Sequence, residues 1–366
     1  MAINSPKVRL SLEKNNKLDY MALFSSALIL IICLFFLENS KTSEKKEYYA
    51  QMLSASTKAQ AAFDAIKKER LTRGYAIDPI LDINETGLIG LDFSEITTTF
   101  GSIESKRSTT NPDCAAMIVE MLYDIGLKEG DSVALNLSGS FPALNICAIV
   151  ACETLGITPR IINSVGSSTF GANIADFTWP DMENHLYTNE LIENRSVWVS
   201  FGGQNDIGQE FDNETAENIY TRLNSLGYRF FGARNVNESI SMRVYFYGDV
   251  DAFINVGGNI ASFGENNTMD TSKGGIISEL PKNEKGTGLI QHYLAEAVPV
   301  IHLLNMKDLL PAYNIDFDPS PIPKPGESRI YFTNETSIGT KIIAIGGIII
   351  STFICVKLLG KESSRL

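Results

Sequence analysis

The chain has 366 residues, 44% hydrophobic and 20% charged, with a formal net charge of −12. That length suits one large domain or two smaller ones, and the acidic balance disfavours a general affinity for nucleic acid or anionic lipid. Five cysteines and three histidines, without a Cys/His spacing of the zinc-site kind, give no disulfide framework and no metal-ligand set.

Residues 1–19 form a basic tail carrying Lys7, Arg9, Lys14 and Lys17. Residues 20–37 (YMALFSSALILIICLFFL) hold no charge and approach the length of a membrane-crossing helix. The following LENSKTSE offers no small-x-small cleavage site, so the run reads as an uncleaved anchor. A second apolar run, Ile342 to Val356, reaches span length if Lys357 snorkels to the interface; the expected span is 341–359, ahead of a basic tail at 360–366. A buried core helix is the alternative, chiefly for the second run. The basic flanks place both termini in the cytoplasm and residues 38–340 outside, a two-span protein of the cell membrane. Eight of the 31 basic residues but only three of the 43 acidic ones lie in the tails and spans, so the outer part is more acidic than the whole.

Residues 38–74 read as a juxtamembrane helix. Tyr48, Met52, Ala55, Ala59, Ala62 and Ile66 recur at spacings of four and three, a stripe that suits a stalk or packing on the chain's own domain. Over 75–315 a strand–helix rhythm follows. Strands are expected at 87–91, 132–137, 159–163, 196–201, 252–256 and 300–304, and helices at 112–126, 142–155, 214–226 and 288–297. This alternation predicts an α/β domain with a mostly parallel, Rossmann-like sheet and helices on both faces, flanked by two transmembrane helices. Four prolines at every second position in DFDPSPIPKPGES mark 316–340 as a stiff linker.

In such a sheet, ligands sit beyond the carboxyl ends of the strands. Four strands end in glycine-and-polar loops: Ser138-Gly139-Ser140, Gly166-Ser167-Ser168-Thr169, Gly202-Gly203-Gln204-Asn205-Asp206 and Gly257-Gly258-Asn259. Glycines there let backbone N–H groups approach a ligand, so Ser138, Gly139, Ser140, Ser167, Ser168, Gly203, Asp206, Gly257, Gly258 and Asn259 are candidate ligand contacts. Tight strand-to-helix turns use the same residues without any ligand. Ser140 stands before Phe141-Pro142. It is a helix cap, a ligand-binding hydroxyl, or a nucleophile served by His185 and Asp206. The G-x-S-x-G elbow is absent. In ITTTFGSIESKRSTTNP, residues 96–112, hydroxyls surround Lys106 and Arg107 ahead of a helix N-terminus, a local receptor for a carboxylate or phosphate. A phosphate-cradle GxxxxGK[ST] motif is missing and no cofactor is implied.

The strings ITTTFGSIESKRSTTNP, SGSFPALN, FTWPDME and SFGGQND, together with the two apolar runs, resemble the bacterial poly-γ-glutamate system protein family over most of residues 45–320. The resemblance implies an accessory role in the membrane machinery that makes and exports poly-γ-glutamate, a capsular or secreted polymer. Its implied partners are the membrane components of the synthase and the polymer chain itself. It brings no catalytic residues with it. Two readings follow: an outer domain that binds the polycarboxylate or the synthase, or a hydrolase or transpeptidase acting through Ser140.

Overall fold

The computed structural model describes residues 20–35, 41–270, 272–281, 285–336 and 338–363. The chain divides into two units, one made of Met1–Lys46 and Phe332–Leu366, the other of Glu47–Tyr331.

In the first unit, α1 covers Tyr20–Phe35 and β1 covers Lys41–Lys45. Strand β13 (Phe332–Thr336) pairs antiparallel with β1, and α12 (Ile338–Ser363) ends the chain. Within α12, Ile338–Lys357 is long and apolar enough to cross a membrane, with a mean hydropathy of 2.0. Helix α1 is apolar but shorter than 18 residues; residues 36 and 37 of the expected span, the tail 1–19 and residues 364–366 lie outside the described residues. The two helices meet through small side chains. The Ser26 and Ser351 hydroxyls are 2.5 Å apart, and a Cβ on Gly347 would stand 2.3 Å from Cys33 Sγ.

The second unit begins with α2 (Tyr49–Thr72). Its stripe of Met52, Ala55, Ala59, Ala62, Phe63 and Ile66 is buried against α4 and α5, so the helix belongs to the domain. Then come β2 (Thr97–Thr99), α3 (Ile103–Thr109), α4 (Asp113–Asp124), β3 (Ser132–Ser138), α5 (Pro142–Thr154) and β4 (Thr158–Ser164). Short pieces follow: β5 (Ser167–Ser168), β6 (Asn173–Ile174), β7 (Phe177–Thr178) and α6 (Trp179–Thr188). The remainder is β8 (Trp198–Ser200), α7 (Asn213–Ser225), β9 (Arg229–Phe230), α8 (Val236–Tyr247), β10 (Ala252–Val256), α9 (Ile260–Phe263), β11 (Gly275–Ile277), α10 (Leu289–Ala295), β12 (Val300–Leu303) and α11 (Met306–Ala312).

The central sheet has seven strands in the order β11-β12-β10-β3-β4-β8-β9. All neighbouring pairs are parallel except β11 with β12. Strand β3 reads as a near-continuous buried run, as expected of a central parallel strand. Helix α5 is buried from Pro142 to Cys152 because it is covered by the sheet on one side and by α2 and α4 on the other. Helices α8 and α10 pack with Ala134, Ile162 and Phe253 in one core cluster that contains no residue of α5, so the sheet is covered on both faces.

The expected strand at 87–91 is absent: these residues are irregular. Their backbone groups are taken by side chains instead. Arg70 donates to the carbonyls of Gly87 and Ile89, and Asn173 both donates to Leu91 O and accepts from its N–H. The proline-rich segment is tied into the second unit as far as Tyr331, whose hydroxyl meets Asp113 and Ser56.

Candidate functional site

Strand β3 is the topological switch point. From it the chain moves outward through β4, β8 and β9, then returns to lay β10 and β12 on its other side. The crevice between β3 and β10 is where open α/β sheets receive ligands. A pocket of about 370 Å³ lies there, lined by Ser138 and Ser140 after β3, Ser164 and Gly166 at β4, Gly203 and Gln204 after β8, and Gly258 and Asn259 after β10. Thr98, Thr99, Glu210, Ile260 and Phe263 complete it. A larger hollow of about 470 Å³, lined by Glu129 and Gly156 among others, opens at the opposite, amino-terminal edge of β3 and β4. It lacks the loop convergence of the switch point.

Each loop is built for close approach. Gly139 O accepts from Ala172 N, and Gly139 N donates to Ser164 O. A Cβ on Gly139 would come within 2.5 Å of Val165 O, so the β3 and β4 turns can touch only with glycine there. Ser138 Oγ donates across to Val256 O at 3.2 Å, closing β3 onto β10. Gly203 has φ 67°, and a Cβ would stand 2.2 Å from Glu210 Oε2. The Glu210 carboxylate accepts from Gln204 N at 2.8 and 3.1 Å. Asn259 caps α9 by accepting from Ser262 N.

Ser140 is not the cap of α5. That position is held by Phe141, which makes no side-chain cap bond. Ser140 Oγ instead accepts from Ser168 N at 3.0 Å, which leaves its own hydroxyl hydrogen free to point toward a ligand. His185 and Asp206 do not join it. His185 Nδ1 lies 3.6 Å from Glu69 Oε2 on the far end of α2 and beside Asn189. Asp206 is buried beneath the pocket in an ion pair with Arg243, 2.9 Å, and also accepts from Ser200 and Ser239. Arg243 continues to Asn136 Oδ1, and Asn136 to Asn255, Asn259 and Ser262, so a buried polar network forms the floor.

No family model, curated protein or solved structure matches this chain.

The two cations of the 96–112 segment part company. Arg107 forms a bidentate pair with Asp318 at 2.5 and 2.8 Å, away from the pocket. Lys106 turns inward and is buried. Its ammonium nitrogen meets Ser140 O, lies 2.7 Å from Ser168 Oγ and stands 3.6 Å from the centre of the Phe141 ring. Burial alone pushes its pKa down to about 7. Ser167 is also enclosed, its hydroxyl bonded to the carbonyls of Gly139 and Ser168. Of the residues singled out from sequence, Ser138, Ser140, Gly203, Gly258 and Asn259 line the pocket. Gly139 and Gly257 shape its turns, while Lys106, Ser167 and Ser168 stand behind Ser140.

Thr98 and Thr99 belong to the hydroxyl-rich 96–112 segment and reach the pocket because β2 pairs with the two-residue β5, whereas Ser164, Glu210, Ile260 and Phe263 went unread in the sequence. Among the described residues no group of three metal-ligating side chains occurs. The pocket offers hydroxyls and close backbone on one side, one carboxylate at Glu210, and an apolar wall of Ile260 and Phe263. That set suits a small polar ligand with a group that accepts a hydrogen bond from Ser140, the lining serine whose hydroxyl hydrogen is not given to a backbone carbonyl.

Proposed function

We propose that this is a membrane-anchored accessory protein of poly-γ-glutamate synthesis or export, whose α/β domain receives a glutamyl end of the polymer in the switch-point pocket. The observation that carries this reading is the meeting of four strand-end loops, rich in serine and glycine, around one cavity. A γ-linked glutamate chain presents a carboxylate on every unit, and the free hydroxyl hydrogen of Ser140 is placed to meet one. Sequence resemblance suggests the polymer; the support from the pocket is a cavity of about 370 Å³ with one serine hydroxyl to offer. The same reading takes α1 and α12 as two membrane spans with cytoplasmic ends and an outer domain, in contact with the synthase membrane components. The length and apolarity of Ile338–Lys357 support the second span.

An enzymatic reading through Ser140 needs a base, and His185 and Asp206 are engaged elsewhere. The test is calorimetry of the full chain in detergent with purified poly-γ-glutamate and short γ-linked oligomers. Binding is expected, and Ser140→Ala should weaken it about 10-fold, as for loss of one hydrogen bond to a charged group. Wild-type protein that takes up neither polymer nor oligomer would remove the proposal.

A further inference from the structure

The side chains lining the switch-point pocket carry one formal charge, and it is negative. Glu210 faces the cavity, whereas no lysine, arginine or histidine lines it. Among the described residues no ion pair reaches this carboxylate; the nearby buried cation Arg243 is given to Asp206. Its hydrogen bonds come from a single backbone donor, Gln204 N, at 2.8 and 3.1 Å from the two oxygens. A carboxylate accepts about four hydrogen bonds. Most of that capacity is therefore open, and Glu210 is exposed.

The loop holds the carboxylate in place. Gly202 O accepts from Gly208 N at 2.7 Å, and Gly203 O accepts from Asp206 N at 3.0 Å, so the segment after β8 folds back on itself. Glu210 then rests on Gly203, where a Cβ would stand 2.2 Å from Oε2. Glycine at 203 leaves the carboxylate room beside the cavity. Ser140 reaches the same cavity from a different loop, after β3, with a hydroxyl hydrogen to give.

From this arrangement we infer that the pocket selects an ammonium group: Glu210 is the specificity residue for a ligand with a free α-amine, and Ser140 donates to an acceptor on the same ligand. Combined with the polymer reading of the proposed function, on which this step rests, the ligand is the amino terminus of the γ-linked chain. Every unit of poly-γ-glutamate has an α-carboxylate. Only the amino-terminal unit keeps its α-amine as an ammonium, because the amines of all other units are tied up in amide bonds. An interior segment would bring like charge against Glu210, whereas the amino end brings the opposite charge. The methylenes of that unit have Ile260 and Phe263 to pack against. Free glutamate carries the same α-amino acid head group, so two sources share the recognised chemistry.

The experiment is calorimetry of the full chain in detergent with four titrants: a γ-linked glutamate trimer, the same trimer acetylated at its amino end, glutamate, and N-acetylglutamate. The free trimer is expected to bind, and acetylation to weaken it about 10-fold or more, as for loss of a charged hydrogen bond. Glu210→Gln retains an oxygen to accept from Gln204 N, so the loop keeps its support. This variant should bind the free trimer about 10-fold more weakly and the acetylated trimer no more weakly than wild type does. A merely structural role for Glu210 would weaken both trimers by the same factor and overturn the inference. Equal binding of the two trimers by wild type would overturn it too, while leaving the polymer reading intact. Amine-dependent binding of glutamate, with neither trimer bound, would keep the role of Glu210 and remove the polymer. Binding of none of the four would remove both.

Discussion

At the residue scale, the most constrained side chains lie below the pocket rather than in it. Asp206 and Arg243 are both about 1% exposed, and each is bonded to further partners. Such a pair contributes little net stability, but removing one member would leave an uncompensated charge, at a cost of about 3–5 kcal/mol. Asp206 therefore works by fixing the loop after β8. Glu183 on α6 is a second buried charge site. Burial raises its carboxyl pKa from 4.5 to about 7, against the hydrogen bonds from Tyr228, Ser196 N and Asn163 that favour the ionised form. A raised carboxyl pKa means the folded state binds this proton more tightly than the unfolded chain does. Its contribution to stability is complete below about pH 4.5 and declines as pH rises to about 7. Glu183→Gln removes that titration, so its melting temperature should fall less steeply than wild type between pH 5 and 7. Parallel profiles for the two proteins would contradict the assignment.

At the element scale, tight loops hold the site. The β3 and β4 turns touch through Gly139, where a Cβ would press on the backbone oxygen of Val165. Gly139→Ala is expected to cost about 1–3 kcal/mol in denaturant unfolding, the usual range for overpacking. Ligand binding should fall as well, because the turn carries Ser138 and Ser140 into the pocket. An alanine variant with native stability and affinity would show that the turn can relax. Much of this architecture was legible in sequence. Buried parallel strands such as Ser132–Ser138 announce themselves as apolar runs ending in glycine loops, and Pro142 and Gly156 bracket α5 plainly. What escaped had no such signal. Strands β2, β5, β6, β7 and β9 are two or three residues long, too short for any periodicity. Leu88 and Ile89 look like a strand because they are apolar and buried, yet Arg70 takes the backbone bonds a neighbouring strand would have taken. Lys106 and Arg107 were read as one cationic cluster; on a helix, adjacent residues face different ways, and one meets Asp318 while the other enters the core.

At the scale of the whole molecule, charge and topology set the terms of encounter. With a net charge of −12, the protein should repel a polycarboxylate at long range even if one pocket accepts its end. The association rate with poly-γ-glutamate is therefore expected to rise as ionic strength is increased from about 0.01 to 0.15 M, where the screening length shrinks from about 30 to 8 Å. Stopped-flow fluorescence would show this, and a rate that falls with salt would reveal a local attractive field. The order of the strands has a consequence in time as well as space. The bond from Ser138 to Val256 closes the pocket across 118 positions of chain. During synthesis β3 emerges early, beside β4 and β8, with half a cavity and no opposite wall. Binding competence arrives only when β10 is laid against β3. A polypeptide stalled or cleaved before that strand would keep Ser138, Ser140 and Gly203 yet hold nothing, so capture of a ligand reports that the chain has been made at least through β10 and α9.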